Sequence, residues 1–204
     1  ELLFLQAQIR PHFLYNAFNT ISAIALSDGL KASELIDDLA IYLRGCFGTN
    51  VNQGLVSIDT ELGIVNSYTH IEQARFGERL QFTSTINTEK NFSLPPLTIQ
   101  PLVENAIRHA TLDSYQKINI QLTITECENY IKIIVQDNGK GIEPTKIADL
   151  LDETKIGQQG GIGLKNVNRR LRLHYGIPLD IQTIPQKGTR ILIQIPLSPN
   201  SEKK

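Results

Sequence analysis

An asparagine, an arginine and a histidine occupy one face of a segment with helical spacing. Asn105, Arg108 and His109 stand at positions i, i+3 and i+4, so their side chains leave the same side of a helix. An amide oxygen is a hard ligand that suits Mg²⁺, and arginine and histidine donate to phosphate oxygens. This face therefore has the chemistry expected of a magnesium and phosphate site.

Two glycine-bearing turns follow along the chain. The string Asp-Asn-Gly-Lys-Gly at 137–141 comes directly after a strand pattern, and Gly-Gly-Ile-Gly-Leu at 160–164 opens a helix. Glycine lets backbone N–H groups approach a phosphate, and a helix N-terminus favours the negative charge. Asp137 at a strand end can accept a hydrogen bond from an exocyclic amine such as that of adenine. Alone, each motif is more often a hairpin turn, a tight turn or a cap; their joint order favours a nucleotide site.

A further histidine lies near the start of the chain. His12, Asn16 and Asn19 fall at i, i+4 and i+7 and share a helix face. A neutral imidazole is a good nucleophile near pH 7, because its pKa lies just below that value. A single histidine in this setting is more often structural, and the nucleotide site downstream favours a nucleophile. The face adjoins an apolar stripe of Phe13, Ala17, Ile21 and Ile24.

The elements that must position these residues begin with helices. Apolar residues at three- and four-residue steps predict two helices that form an antiparallel hairpin around the break at 27–29. The loop that ends the second helix is indicated by Gly45, Gly48, Asn50, Asn52 and Gly54. Asp59 is the predicted N-cap of a third helix, which ends at Phe76-Gly77.

From Leu80 the apolar period changes to two, which predicts strands. A helix is predicted from Pro95-Pro96 through Ala110, a mobile loop over 143–161, and another helix over 164–174. The predicted fold class is α+β, with a helical hairpin at 1–55 and a sandwich of helices on a mixed sheet at 56–200. Strand patterns lie near 80–86, 118–124, 131–135 and 191–195.

The composition is that of an ordinary globular protein. Of 204 residues, 41% are hydrophobic and 20% charged, which excludes collagen, low-complexity disorder and a disulfide scaffold. The net charge of −1 gives no overall attraction for nucleic acid or anionic lipid. Cys46 and Cys127 lack metal-ligand spacing. No apolar run is long enough for a membrane span. The chain opens without methionine, and we expect a fragment of a longer protein.

The nucleotide-site motifs resemble those of a known superfamily. Asn105, Asp137-x-Gly139-x-Gly141, Gly161-x-Gly163 and Gly188-Thr189 resemble the asparagine box and the three glycine boxes of GHKL (Bergerat-fold) ATP-binding domains. The resemblance implies that Asn105 ligands Mg²⁺ and that Asp137 binds adenine together with Thr189. It implies phosphate contacts for Gly161 and Gly163, with Leu164 beside them, and for Arg108 and His109. The segment 143–160 would be the lid over ATP.

The string Pro-His-Phe-Leu-Tyr-Asn at 11–16 resembles the first dimerisation helix of LytS/YehU-type sensor histidine kinases. The resemblance covers nearly the whole chain and implies that His12 accepts a phosphoryl group from ATP. Asn16 would orient a water molecule that dephosphorylates the partner. Further matching strings begin at Glu61, Tyr68, Glu72, Arg75, Pro95, Gln100 and Arg169.

The sequence departs from related kinases at two positions beside His12. The family usually has asparagine where Arg10 stands. Many histidine kinases carry an acid directly after the histidine as general base, whereas this chain has Phe13. Glu104 is the candidate base, although it points about 100° away from Asn105 on the helix. Tyr68, Arg75 and Arg79 either link the helical part to the ATP domain or form an ordinary helix face. His70 and His174 are predicted to be structural.

The leading hypothesis is the kinase core of a two-component sensor that uses ATP and Mg²⁺, phosphorylates His12 and passes the group to an aspartate of a response regulator. In this family the regulator often carries a LytTR domain. The hairpin would form a four-helix bundle in a homodimer. The resemblance implies a cytoplasmic domain of a protein held in the bacterial inner or plasma membrane by upstream segments.

Two other function classes remain open. A GHKL ATPase would need a glutamate four residues before the Mg²⁺ asparagine, but Pro101 stands there and cannot activate water. A nucleotide-binding scaffold would not need His12 together with Asn105, Asp137 and the glycines.

Overall fold

The N-terminal part of the protein is a pair of antiparallel helices. The computed structural model describes residues 11–48, 54–110, 117–151, 162–185 and 187–197. Helix α1 (Pro11–Ala25) and helix α2 (Gly29–Gly48) confirm the predicted hairpin. The turn is closed by Asp28, whose N–H donates to Ile24 O at 2.8 Å and whose Oδ1 accepts from Lys31 N at 2.9 Å. The side chain of Asp28 therefore starts α2.

A third helix, α3 (Ile58–Phe76), packs against both members of the hairpin. Its N-cap is Ser57, whose Oγ accepts from Thr60 N at 3.2 Å, so the prediction of Asp59 as the cap was wrong. Asp59 instead lies in the first turn, where its charge favours the helix dipole. The helix ends at Gly77, as predicted, with a positive φ of 59° that suits glycine.

Gly45 and Gly48 lie inside α2, and the predicted loop at these residues was wrong. The reason is the close approach of α3. A Cβ atom built on Gly45 would lie 2.6 Å from Ile64 Cδ1, nearer than real Cβ contacts come. Glycine here makes room for a neighbouring helix, a role that local spacing does not distinguish from a helix end.

The second half is a five-stranded mixed sheet. Its strands are β2 (Leu80–Asn87), β4 (Ile118–Glu126), β5 (Tyr130–Asp137), β6 (Asp180–Ile184) and β7 (Gly188–Pro196). They lie in the order β2-β4-β5-β7-β6. Strand β2 pairs parallel to β4, and the other neighbours are antiparallel. One face is buried, as the alternation along β4 indicates. A two-stranded ribbon, β1 (Val56–Ser57) with β3 (Ser93–Leu94), lies apart from it.

Three helices accompany the sheet. They are α4 (Gln100–Ala110), α5 (Pro144–Leu151) and α6 (Ile162–Tyr175). Helix α5 lies within the predicted mobile loop, so the prediction of a loop was wrong over the residues of this helix. Its apolar side chains Ile147 and Leu151 stand four apart and pack on the core, and Pro144 suits a first helical position. The rest of the expected lid, 152–160, lies outside the described residues.

The α+β class is confirmed, and the hydrophobic core runs through both halves. Phe13 and Tyr42 from the hairpin, Ile64 from α3 and Ile133 from the sheet belong to one cluster of buried side chains. The boundary between residues 55 and 56 stays a prediction, and α3 lies between the hairpin and the sheet. Among the described helices, none is long and apolar enough to cross a membrane.

Candidate active site

Asp137 closes one end of the site, at the last position of β5. Its carboxyl is buried, and Oδ1 accepts from Gly139 N at 2.8 Å and from Thr189 N at 3.3 Å. Burial raises the pKa of Asp137, and the two N–H donors act in the opposite direction. Asp137, Gly139 and Thr189, which the sequence predicted as nucleotide contacts, thus meet at one point.

Glycines are required where the backbone passes this carboxylate. A Cβ atom on Gly139 would lie 2.9 Å from Asp137 Oδ1 and 3.1 Å from Ala110 Cα, at the end of α4. Gly188 has a φ of 106°, and its Cβ would lie 2.9 Å from Asp137 C. Gly141 has a φ of 70°. A side chain at any of the three is therefore strained or blocked.

Helix α4 starts at Gln100 rather than at Pro95-Pro96, so that part of the prediction was wrong. The buried carboxylate of Glu61 on α3 holds the preceding residues in a different conformation. It accepts from Leu97 N at 2.5 Å, Thr98 N at 2.9 Å and Ile99 N at 2.8 Å. Leu97 has a φ of 55°, which is uncommon outside glycine. Arg170 Nη2 donates to Leu97 O at 2.7 Å.

The predicted polar face of α4 is formed by Asn105, Arg108 and His109. Asn105 is buried, and its Oδ1 accepts from Arg108 Nη2 at 3.1 Å. Arg108 Nη2 lies 3.0 Å from His109 Nε2. A Cβ on Gly163 in the first turn of α6 would lie 3.5 Å from Asn105 Nδ2. The start of α6, with buried Leu164, therefore lies directly beside the asparagine.

The donor set fits a magnesium ion held through a nucleotide. In the described part of the chain, no group of three or more His, Cys, Asp or Glu side chains forms a metal cage. Mg²⁺ usually binds one or two protein oxygens, substrate phosphates and water. The buried amide oxygen of Asn105, beside Arg108 and a helix start, is a donor of that kind.

His12 is exposed in the first turn of α1 and lies beside Asn16. Asn16 Nδ2 is 3.2 Å from His12 Nδ1 and 3.4 Å from Nε2, so the amide orients the imidazole ring. The next residue, Phe13, is buried, with ring centroids of Tyr42 at 4.8 Å and Tyr68 at 5.0 Å. Phe13 therefore anchors the histidine helix to α2 and α3.

A cavity of about 100 Å³ connects the histidine helix with α4. His12, Glu104 and Arg108 all line it. Because Arg108 also bonds Asn105, the cavity and the asparagine face are neighbours. Glu104 lines the cavity, while Asn105 lies beside Gly163, as expected for adjacent helical residues about 100° apart.

A hydrogen-bonded chain runs from Glu104 into the hairpin. Gln100 Nε2 donates to Glu104 Oε2 at 3.0 Å and to Tyr42 Oη at 3.5 Å. Burial raises the pKa of Tyr42, and likewise that of Cys46 to about 12. Tyr42 and Gln100 are buried and connect α2 to Glu104, the carboxylate that lines the His12 cavity.

Two other predicted histidines occupy structural positions. His70 Nδ1 lies 2.5 Å from Asp38 Oδ2 and joins α3 to α2. His174 lies in the last turn of α6, where a basic side chain suits the helix dipole. Gly161 and Arg10 lie outside the described residues.

Several residues of the site were not identified by sequence reasoning. Tyr42 and Gln100 connect the hairpin to Glu104, and Glu61 fixes the entry to α4. Glu72 and Phe76 line the His12 cavity. The strings that matched known kinases contained Glu61, Glu72, Phe76 and Gln100, and this was the only signal that marked them.

Two family models match the chain. The model described as histidine kinase matches residues 1–80. The model described as histidine kinase-, DNA gyrase B-, and HSP90-like ATPase matches residues 94–199. The second model implies a nucleotide-binding domain over the sheet and its helices.

Similar proteins agree with this division. YwpD of Bacillus subtilis, described as a putative uncharacterized protein, is 42% identical, with 97% of this chain and 70% of YwpD covered. The sensor histidine kinase/phosphatase LytS of Staphylococcus aureus (strain MRSA252) is 38% identical over the full chain, which spans 35% of LytS. The histidine kinase domain of the blue-light activated EL346 from Erythrobacter litoralis has a TM-score of 0.53 at 19% identity, with 96% of this chain and 93% of that chain covered.

The solved structure supports the fold, and the family models and relatives show the family. The chain spans about a third of the length of the sensor relative LytS. The two family models, and the match to LytS over the whole of this chain, together cover the helix that carries His12 and the ATPase domain. The chain therefore belongs to the sensor histidine kinase family and carries a histidine kinase-, DNA gyrase B-, and HSP90-like ATPase domain.

Proposed function

We propose that this chain binds Mg·ATP, phosphorylates its own His12 and transfers the phosphoryl group to an aspartate of a response regulator. The observation that carries the proposal is the shared cavity of His12, Glu104 and Arg108. It brings the acceptor histidine next to the helix that also carries Asn105. A kinase needs this proximity because transfer depends on positioning and charge neutralisation.

Each end of the site has a separate task. Asp137 and Thr189 would receive the adenine, with Gly139 and Gly141 giving the backbone room. Asn105 would hold Mg²⁺, which when bound neutralises charge on the phosphates. Arg108 now donates to Asn105, and we expect it to turn to phosphate oxygens when nucleotide enters. The other proposed phosphate contacts are His109 on α4 and, at the second glycine turn, Gly161, Gly163 and Leu164.

Glu104 is the proposed base for His12. Its side chain lines the same cavity as the imidazole, and Gln100 holds one of its oxygens at 3.0 Å. It would take the ring N–H proton as the phosphorus–nitrogen bond forms. Asn16, which is hydrogen-bonded to His12, is the proposed residue that orients water for hydrolysis of a phosphorylated regulator.

Autophosphorylation with γ-labelled ATP and Mg²⁺ tests the proposal. We expect label that is acid-labile and alkali-stable, and its loss in His12→Ala and Asn105→Ala. His12→Ala should still bind ATP, because His12 belongs to the acceptor helix, whereas Asn105→Ala should bind Mg·ATP weakly. Label that persists in His12→Ala would overturn the assignment of the acceptor. ATP turnover without label would favour the ATPase, and ATP binding without label or turnover would favour the scaffold.

The hairpin is the proposed dimer interface. Phe18 on α1 is 56% exposed and Leu30 on α2 is 75% exposed, and further large apolar side chains are exposed along the same hairpin. Two hairpins would bury such side chains in a four-helix bundle. Sedimentation should show a dimer for the parent chain and a monomer for Phe18→Asp. The circular dichroism of the two proteins should be the same. The apolar side chains available are Tyr15, Phe18, Leu26, Leu30, Ile36, Ile41 and Phe47.

The partner and the cellular setting follow from the family. The receiver domain of a response regulator, in this family often one with a LytTR output domain, is the proposed phosphoryl acceptor. We propose that the chain is the cytoplasmic part of a protein held in the bacterial membrane by segments upstream. Mixing labelled chain with purified receiver domains tests the first point, since the cognate receiver should remove label from His12 within minutes.

A further inference from the structure

The His12 cavity has a third wall that the functions proposed above do not use. Besides α1 and α4, it is lined by Glu72, Arg75 and Phe76 from the last turn of α3. Two arginines from different helices, Arg75 and Arg108, therefore line the same cavity as His12.

The guanidinium of Arg75 is held in a set orientation. Its Nη1 lies 3.2 Å from Glu72 Oε2 and 3.4 Å from Oε1, and its Cζ lies 4.5 Å from the centre of the Phe76 ring. Glu72 is buried, with 5% of its side chain exposed, whereas 31% of the Arg75 side chain is exposed. The buried carboxylate and the ring therefore fix a cation that is still open to the cavity.

The charged side chains that line the cavity are equal in number and opposite in sign. Glu72 and Glu104 balance Arg75 and Arg108 before a substrate enters. In phosphoryl transfer, negative charge is spread over three oxygens of the transferred group, and planar guanidinium groups bind such oxygens well. Arg108 lies next to Asn105 and is expected to bind the phosphates from the ATP side, so a second cation on the acceptor side would complete the charge neutralisation. Arg75 meets that need.

We propose that Arg75 is a phosphoryl-binding catalytic residue, whose guanidinium contacts the γ-phosphoryl oxygens during transfer and the phosphohistidine afterwards. The inference rests on the proposed kinase function. A ring nitrogen of His12 forms a bond to phosphorus as the bond from phosphorus to the β–γ bridging oxygen breaks. ADP leaves with that electron pair, Glu104 takes the ring proton, and Arg75 keeps all of its protons.

The alternative is a helix-end ion pair with no role in transfer. Removal of Arg75 would then leave the buried carboxylate of Glu72 without this cation, which lowers the stability of the fold rather than slowing the transfer step itself. The two interpretations differ in one property: a small guanidinium ion can replace a missing catalytic guanidinium, but it does not restore a structural contact.

The experiment compares Arg75→Ala and Arg75→Lys with Arg172→Ala, which removes an exposed arginine on α6 that does not line the cavity. Initial rates of His12 labelling are measured at saturating ATP, and ATP affinity is measured with a fluorescent analogue. For Arg75→Ala we expect about a 100-fold lower rate with ATP affinity within about 3-fold of the parent. Arg75→Lys should retain part of the rate, and Arg172→Ala all of it.

Guanidinium chloride at about 20 mM should raise the Arg75→Ala rate about 10-fold, which restores part of the charge stabilisation that the side chain supplied. Equal sodium chloride or urea should not raise it. A full rate in Arg75→Ala, a loss explained by weaker ATP binding, or a loss without guanidinium rescue would each overturn the role. If Arg75→Ala does not fold, Arg75→Gln is tested in the same way. A parent chain that takes no label would overturn the kinase proposal and this inference together; a labelled parent beside a fully active Arg75→Ala overturns the inference alone.

Discussion

His12 on α1 and Arg108 on α4 line one cavity within a single chain. Arg108 in turn bonds Asn105, the proposed Mg²⁺ ligand. The acceptor and the phosphate face of the nucleotide site are therefore neighbours before any second chain is added.

We expect autophosphorylation to occur within one chain. In a heterodimer of a His12→Ala chain and an Asn105→Ala chain, each with a different tag length, neither chain should be labelled. The first lacks the acceptor, and the second lacks a working nucleotide site beside its own histidine. Gel separation after incubation with γ-labelled ATP measures this directly. Label on the Asn105→Ala chain would show transfer between chains and contradict the expectation.

Nucleotide binding should weaken on acidification because of Asp137. Burial raises the pKa of this carboxyl from its ordinary value. An amine of adenine binds the ionised form, so affinity is full above that pKa and is lost as the pH falls through it. The loss should begin at a higher pH than a solvent-exposed aspartate would give. NMR titrations with adenosine, which has no phosphates to ionise, measure the effect.

Asp137→Asn is the matched control for the pH series. It should bind adenosine weakly at every pH and lack the acidic decline, because the amide does not titrate. A parent chain whose adenosine affinity is flat across the series, or a variant that keeps the same decline, would show that another group is responsible.

Two glycine-to-alanine changes in neighbouring helices should have opposite effects. Alanine at Gly45 collides with Ile64 and should lower the free energy of unfolding by roughly 1–3 kcal/mol. Alanine at Gly63 on α3 meets nothing within 4 Å and should raise it by about 1 kcal/mol through helix propensity. Urea denaturation of both variants measures the difference. Equal effects would contradict the close packing of α2 on α3.

Cys46 should report on separation of α2 from α3. Its thiol is buried and its pKa is raised to about 12 by burial, while Cys127 is only half-buried. Because the thiolate is the reactive form, maleimide should label Cys46 on the order of 1000-fold more slowly than Cys127. Single-cysteine variants, Cys46→Ser and Cys127→Ser, give the two rates by mass spectrometry. Gly45→Ala should speed labelling of Cys46, and equal rates in the two single-cysteine variants would mean that α2 is not held closed.

Local sequence patterns predicted much of the fold. Apolar steps of three and four residues predicted the hairpin, and alternation predicted the strands of the sheet, because each pattern reflects one buried face. The apolar edge strand β2 is an exception: its pattern continues to Ile86, which is 47% exposed because β2 has only one neighbour. The short strand β6 was missed altogether.

Local patterns failed where a distant residue decides the conformation. Pro95-Pro96 indicates a helix start, but the carboxylate of Glu61 takes the N–H groups of the next residues and delays α4 to Gln100. Gly45 indicates a helix end, but Ile64 makes it a packing contact. Both partners are contributed by α3, whose position over these residues is set by tertiary packing.

Residue types and their local spacing establish the chemistry available to this protein: a histidine beside an apolar stripe, a helical asparagine face, and an aspartate followed by glycine turns. These signals can be read from short segments, because helical and strand periods relate residues only a few positions apart. That His12 shares a cavity with Arg75 and Arg108 depends on tertiary packing, since the three residues come from three different helices. This arrangement is held by contacts of Phe13 with Tyr42 and Tyr68. These residues are far apart in the chain, so the local spacing of residue types does not predict their contacts.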